Sequence, residues 1–482
     1  MFKSKRLHPA AAITNTLNTL KGIILPYLIV FVFGGSRPEG IMSQLLFGSG
    51  FILLSFIIGV LRWRSFTYTL DHGEFLIEQG ILIRKKRYIR INKIQSLDIT
   101  QGIIQRLFNL VSLKVETAGG NKSNEPEVIL EAISREEAEA ITSIISKEKE
   151  EIIEQRLEES QNYPVYTLAF RQLFIFAGSS GRVGIVFSGA AAVLLQFQEV
   201  IPYNRVFRGI ESFAASGLVN ILLLLAAALI LSYAAATIHI VFKFAHSTVQ
   251  KKKDDLILTS GLFEKRQLTI PFKKIQAVKM SQNIIRQPFG YITVYLYYAG
   301  GAAAGKGNSR VMLFPLIKKN ELRKLLREFL PGYSFEEPNN GLPTRAFIRY
   351  AARQLYVSVP LSAVMIWLLF PWGLASLLLI IISIFWAYQS FRDAAWRITD
   401  ECLSLRFRMI SRHTYIIQKT KIQALRIDSG FLQRRKKLNS IIATVISGTG
   451  PARAVITDLD TDDAEKIKQW FAPDKEQEMI KK

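Results

Sequence analysis

Six long apolar runs, grouped in three closely spaced pairs, constrain this 482-residue chain more than any other feature. The first pair is Leu17–Phe33 and Ile41–Leu61, the second Leu173–Leu195 and Leu218–Phe242, and the third about Leu355–Phe370 and Gly373–Phe391. A helix crossing the hydrocarbon of a bilayer needs about 20 mostly apolar residues. A single run of this kind also suits a buried helix of a water-soluble domain, but three such pairs do not. Leu218–Phe242 carries no charge before Lys243, whereas Leu173–Leu195 is broken by Gly178-Ser179-Ser180-Gly181 and contains Arg182. An arginine there implies snorkelling, a polar cavity or a kink. The first run follows Lys3, Lys5 and Arg6 as a signal peptide would, but a second apolar run follows closely and no small-residue cleavage site is convincing. It reads as a retained membrane helix.

The formal charge of +23 is placed asymmetrically. Links within the pairs are short and nearly neutral, while the opposite flanks carry Arg62, Arg64, Lys243, Lys251, Lys252, Lys253, Arg392 and Arg397. The positive-inside rule puts both termini and all three large polar segments in the cytoplasm. In such a chain the cations answer to topology and to an anionic leaflet, not to nucleic acid. The single cysteine, Cys402, excludes an internal disulfide, and the five histidines show no metal-ligand spacing, so neither metal nor cofactor is expected.

The polar segments repeat one another. Lys93-Ile94-Gln95, Lys274-Ile275-Gln276 and Lys421-Ile422-Gln423 anchor a gapless alignment. In it Phe75-Leu76-Ile77 matches Leu256-Ile257-Leu258 and Leu403-Ser404-Leu405, each after a polar turn. Gln101–Phe108 matches Gln282–Phe289, and Ser429–Lys436 follows more loosely. Period and punctuation predict a strand from Phe75, a turn at Gln79-Gly80 with a second strand starting by Ile83, alternation over Tyr88–Ile91, and a strand at Ile94–Ile99. A helical turn at Ile103–Phe108 should come next, then strands at Leu110–Thr117, Tyr291–Tyr298 and Leu438–Val445, the first two entered through tight turns at Asn109 and Gly290, where the third copy departs with Lys437. Last strands at Val128–Leu130, Val311–Phe314 and Val455–Thr457 lead to helices from Ser134, Lys318 and Thr461; Ser134 with Glu137 makes a capping box. The first of these helices is expected to run to about Glu159.

A strand-rich domain with Lys-Ile-Gln at its middle, followed by Ile103–Gly120, resembles the bacterial pleckstrin-homology-like domain, and the three-copy plan resembles the YdbT-like membrane proteins. The match is strong in the first copy, good in the second and weaker in the third, which has Arg408 where Gly80 and Gly261 stand. The resemblance implies a curved β-sandwich or partly open barrel capped by a C-terminal helix, no enzymatic activity, and a smaller single-domain membrane partner.

The expected fold is therefore a multi-domain membrane protein in which three transmembrane helical hairpins alternate with three PH-like domains. Hairpins occupy 1–62, 161–245 and 334–394, and domains occupy 63–160, 246–333 and 395–482. The candidate lipid-surface or partner-binding residues are the basic clusters Arg84, Lys85, Lys86 and Arg87, Lys265 and Arg266, Arg412, and Arg434, Arg435, Lys436 and Lys437. The dull explanation, positive-inside charge, weighs about as much. Gln95, Gln276 and Gln423 read as repeat framework. Gly300-Gly301 and Gly305-Lys306-Gly307 do not match a phosphate loop, and Asp460, Asp462 and Asp463 suit a helix N-terminus better than a metal. The function expected is a scaffold at the inner face of a bacterial cytoplasmic membrane, binding partners or anionic lipid, with homo- or hetero-oligomers open. The competing expectation is a transporter or exporter component in envelope defence, with Arg182 and His239 lining a path.

Overall fold

The computed structural model describes residues 4–16, 38–71, 74–81, 83–91, 94–117, 128–150, 164–180, 217–252, 254–299, 310–333, 335–447 and 451–472. The first apolar run, Arg182 and the expected helical extension beyond Glu150 lie outside them. The chain forms two compact units, one of residues 1–162, 166–248 and 257–269, the other of 163–165, 249–256 and 270–482.

In the first unit, β1 (Lys5–Arg6), the long helix α1 (Pro38–Arg64), β2 (Thr67–Asp71), β3 (Glu74–Gln79) and β4 (Lys85–Arg90) give an antiparallel sheet in the order β1-β2-β3-β4. Alternation along β3 sends Phe75 and Ile77 into the core. The second strand starts at Lys85, later than the sequence pattern implies, because Gly80 (φ +124°) opens a five-residue loop. A side chain at Gly80 would put its Cβ 2.0 Å from the Ile83 carbonyl oxygen, so only glycine fits. A second antiparallel set follows: β5 (Ile94–Gln101), the short α2 (Ile103–Leu107), β6 (Leu110–Thr117) and β7 (Val128–Ser134), then α3 (Arg135–Glu150). Asn109 takes the left-handed conformation (φ 52°), and Ser134 Oγ accepts the Glu137 N–H at 3.2 Å, capping α3. Ile94, Leu113, Leu130 and Ile133 fill the core.

After β8 (Val165–Thr167) come α4 (Phe170–Gly178) and α5 (Leu218–Phe244). These two helices touch through the Tyr233 hydroxyl, which donates to the Gly178 carbonyl at 2.8 Å, and through an edge-on Phe176–Phe244 pair. The chain continues as β9 (Thr248–Lys252), β10 (Asp255–Ser260) and β11 (Lys265–Pro271). Residues 265–269 of β11 pair antiparallel with the outer edge of β5, so a strand of the second repeat extends a sheet of the first.

The second unit repeats that junction. β12 (Ile275–Gln282), β13 (Tyr291–Tyr298) and β14 (Arg310–Lys318) lead to α6 (Lys319–Phe329), and β15 (Asn340–Gly341) leads to the apolar helices α7 (Phe347–Leu368) and α8 (Leu377–Asp393). Then follow β16 (Ala395–Ile398), β17 (Cys402–Arg408) and β18 (Arg412–Gln418), and finally β19 (Ile422–Asp428), α9 (Phe431–Arg435), β20 (Leu438–Val445), β21 (Ala452–Asp460) and α10 (Thr461–Phe471). One seven-stranded sheet runs β14-β13-β12-β18-β17-β16-β15, with Lys279 opposite Tyr415. β19, β20 and β21 form a separate sheet of three. Ala277 and Tyr297 of the second repeat share one apolar cluster with Leu403, Ile417, Ile441 and Ile456 of the third. Burial of each large side chain there contributes about 1.5–3 kcal/mol, which welds the two repeats together.

Gly290 and Lys437 are left-handed like Asn109 (φ 67° and 53°), so the lysine in the third copy keeps the same turn. α7 begins eight residues before the apolar run because its first turns rest on the third repeat. There Arg349 Nε meets Asp458 Oδ1 at 2.6 Å, Gln433 Nε2 donates to the same oxygen at 2.9 Å, and Arg353 pairs with Oδ2. Ser362 and Ser376 bridge α7 to the link before α8 through reciprocal hydroxyl–carbonyl bonds. Three described helical stretches, Leu222–Phe244, Thr344–Leu368 and Trp372–Asp393, are long and apolar enough to cross a membrane.

Candidate membrane-docking site

Each repeat presents two exposed apolar tips. The first is the hairpin joining its second and third meander strands, with Ile81 and Ile83 in the first copy, Phe263 in the second, and Met409 and Ile410 in the third. The other is the turn after the Lys-Ile-Gln strand, with Leu107 and Phe108, then Ile285 and Phe289, then Phe431 and Leu432. Ile83, Leu107 and Ile410 are all above 70% exposed, and apolar surface gathered at such tips suits contact with a partner or a membrane.

Two of the long apolar helices fix where two of these tips sit. Phe263 stacks edge-on against Phe242 of α5 (4.8 Å), and the Leu262 N–H donates to the Phe242 carbonyl at 2.9 Å. In the third copy the Trp386 indole donates to the Met409 carbonyl at 3.1 Å, with the Arg408 guanidinium 5.5 Å from the ring. Trp386 lies seven residues before the end of α8, so the tip reaches roughly 10 Å along that helix at 1.5 Å per residue. Tryptophan and arginine in this arrangement suit the headgroup belt. The two tip types are also neighbours across each junction. Arg106 Nη1 donates to the Leu262 carbonyl at 3.4 Å, and Arg408 Nη2 donates to Gln287 Oε1 at 2.6 Å.

The candidate cations separate by their surroundings. Arg84 follows the first tip and, with Lys85 and Lys86, is exposed; Arg87 is half-buried on β4. Lys86 pairs with Glu78 at 2.7 Å, which raises its pKa. Arg434, Arg435, Lys436 and Lys437 follow Phe431 and Leu432, and Lys265 follows Phe263. Arg266 and Arg412 instead stand in the junctions. Arg266 binds Asp98 in a fork, Nε–Oδ1 at 3.0 Å and Nη2–Oδ2 at 2.7 Å, and Asp98 is fully buried. Burial pushes the Asp98 carboxyl up and the guanidinium opposes this. Arg412 donates to Gln282 Oε1 and meets Asp393 Oδ1 at 3.4 Å, while Arg408 pairs with the other oxygen of Asp393, the last residue of α8. The sequence named Arg412 but not its partners, since a residue 19 positions away in a membrane helix leaves no local signal.

The three glutamines differ in setting. Gln276 is buried and donates to the Lys274 carbonyl at 3.1 Å; Gln423 is exposed; the side chain of Gln95 lies outside the described residues. His239 is exposed on α5, and Arg182, its suggested partner in a transport path, is outside the described residues. A cavity of about 270 Å³ lies at the first junction, lined by Arg135, His246, Lys265, Arg266 and Glu139 among others. Among the described residues no His, Cys, Asp and Glu side chains are grouped to hold a metal.

A family model described as bacterial PH domain matches the chain three times, over residues 20–149, 199–331 and 351–475. A curated relative from Bacillus subtilis (strain 168), the UPF0699 transmembrane protein YdbT, is 34% identical over 494 residues, covering 98% of this chain and 99% of the relative. No solved structure matches.

Proposed function

The chain belongs to the bacterial PH domain family as a transmembrane protein, and from that premise we propose that it is a non-enzymatic scaffold of the cytoplasmic membrane. Three helical hairpins alternate with three PH-like domains, and these domains lie on the cytoplasmic leaflet. The apolar tips enter the headgroup region, and Arg84, Lys265 and Arg434–Lys437 meet anionic phospholipid, each such cation contributing about 1 kcal/mol. The observation that carries this reading is the Met409-Ile410 tip bonded to Trp386 well inside a membrane helix. The domains so held recruit proteins, a smaller single-domain membrane partner among them, and tethering to one surface raises the effective concentration of weak contacts.

The depth of the tips is directly measurable. A nitroxide label at Leu432→Cys, in a Cys402→Ala background reconstituted in vesicles with anionic lipid, is expected to be relaxed more by oxygen than by a water-soluble nickel complex. The opposite preference places the tip in water and removes the lipid reading. Crosslinked membranes yielding the protein strictly alone would remove the recruiting role.

A further inference from the structure

The sheet edges obey a rule that the chain applies twice and leaves open once. The Lys-Ile-Gln strand of one repeat accepts, on its outer edge, the last meander strand of the next. β5 takes Lys265–Thr269, and β12 takes Arg412–Ile416, in the same register: Lys265 opposite Gln101, and Arg412 opposite Gln282. β19 is the third strand of this kind, and among the described residues its sheet contains only β19, β20 and β21. β4 is the third strand of the complementary kind, at the edge of its own sheet and paired, among the described residues, with β3 only. Partnered β12 buries Gln276, Ala277, Lys279 and Met280; the equivalent Gln423, Ala424 and Arg426 of β19 are exposed, and Leu425 and Ile427 only half-buried.

From this we infer that a second copy of the chain completes the series, β4 of one molecule pairing antiparallel with β19 of the next. The inference rests on the scaffold reading, which holds both edges on one face of the membrane. The shared register sets Arg84 opposite Ser429, Lys85 opposite Asp428, Lys86 opposite Ile427, Arg87 opposite Arg426, and Tyr88 opposite Leu425. Lys85 thereby meets a carboxylate, and the exposed Tyr88 ring gains an apolar cross-strand neighbour. Arg87 against Arg426 is the one like-charge pair, and it makes this seam weaker than the two intramolecular ones. In the first junction Asp98 stands at the position of Arg426 and Arg266 at that of Lys85, so Arg426→Asp restores the arrangement of the strong seam. The contact is heterologous, one edge of each type per copy, and it builds rings or rows in the plane of the membrane.

Two tagged full-length chains, both Cys402→Ala, one with Lys85→Cys and the other with Asp428→Cys, are co-expressed and oxidised in isolated membranes. Directly opposed strand residues lie within disulfide reach. A disulfide between the two tags is expected, several-fold above the offset pair Lys85→Cys with Gln423→Cys. Arg426→Asp should raise the yield, and Asp428→Lys should lower it when crosslinking is read at Lys86→Cys with Ile427→Cys. A yield no higher than the offset pair, or capture of a smaller protein in place of the second tag, overturns the inference. Label depth at Leu432→Cys in the same membranes reports the lipid reading separately, because it does not require the seam.

Discussion

Buried ionic groups at the junctions are where single residues matter most. Asp98 has no exposed surface and one guanidinium to answer it. Asp98→Ala is expected to cost about 3 kcal/mol, because it strands Arg266, whereas Asp98→Leu with Arg266→Met should cost less than either single change. Chemical denaturation of the four variants as a double-mutant cycle checks this. His413 gives a pH dependence. It faces Ser281 across the second junction, its Nδ1 finds no hydrogen-bond partner among the described residues, and burial together with Lys279 and Arg310 lowers its pKa from 6.5 to about 4. The unfolded chain takes up this proton near pH 6.5 and the fold only near pH 4. Stability is therefore lost as pH falls through that window, by up to about 3 kcal/mol, and is not lost at that site above it. His413→Gln should flatten the difference between melting at pH 7 and pH 4.5; an unchanged difference assigns the acid sensitivity to the carboxylates. The predicted strand Ile94–Ile99 contained Asp98, but its burial, like that of His413, comes from strands 168 and 132 positions away, which no local pattern encodes.

At the scale of elements, the strands and helices were largely legible. Alternation gave Leu110–Thr117, Tyr291–Tyr298 and Leu438–Val445 with their observed bounds, and Ser134 with Glu137 marked the first cap. Pairing was not legible. Backbone hydrogen bonds carry no residue code, so no local pattern told that β5 would take β11 and β12 would take β18. The hairpin loops explain the third repeat's departure. Gly261 (φ +108°) would place a Cβ 1.9 Å from the Glu264 carbonyl oxygen, while β17 runs on through Arg408 to a three-residue tip and needs no glycine. Gly261→Ala is expected to cost about 2 kcal/mol in the first unit, since the clashing atom is backbone. Arg408→Gly should give no gain, and should also loosen Asp393. Thermal melts of the two variants compare these sites.

For the molecule as a whole, stability should follow how many neighbours each strand has. Among the described residues β12 is bonded by β13 and β18, and β19 by β20 alone. In detergent at a concentration where the protein is monomeric, hydrogen exchange is expected to be slowest in β12, with every second amide of β19 exchanging far faster. Uniform protection of both strands would contradict the edge assignment. The joint between α8 and its sheet has a mechanical consequence. The helix ends at Asp393, the strand opens at Ala395, and Asp393 grips Arg408 and Arg412. A link of one residue leaves no slack, so any tilt of α8 must swing the sheet with it like a vane on a shaft.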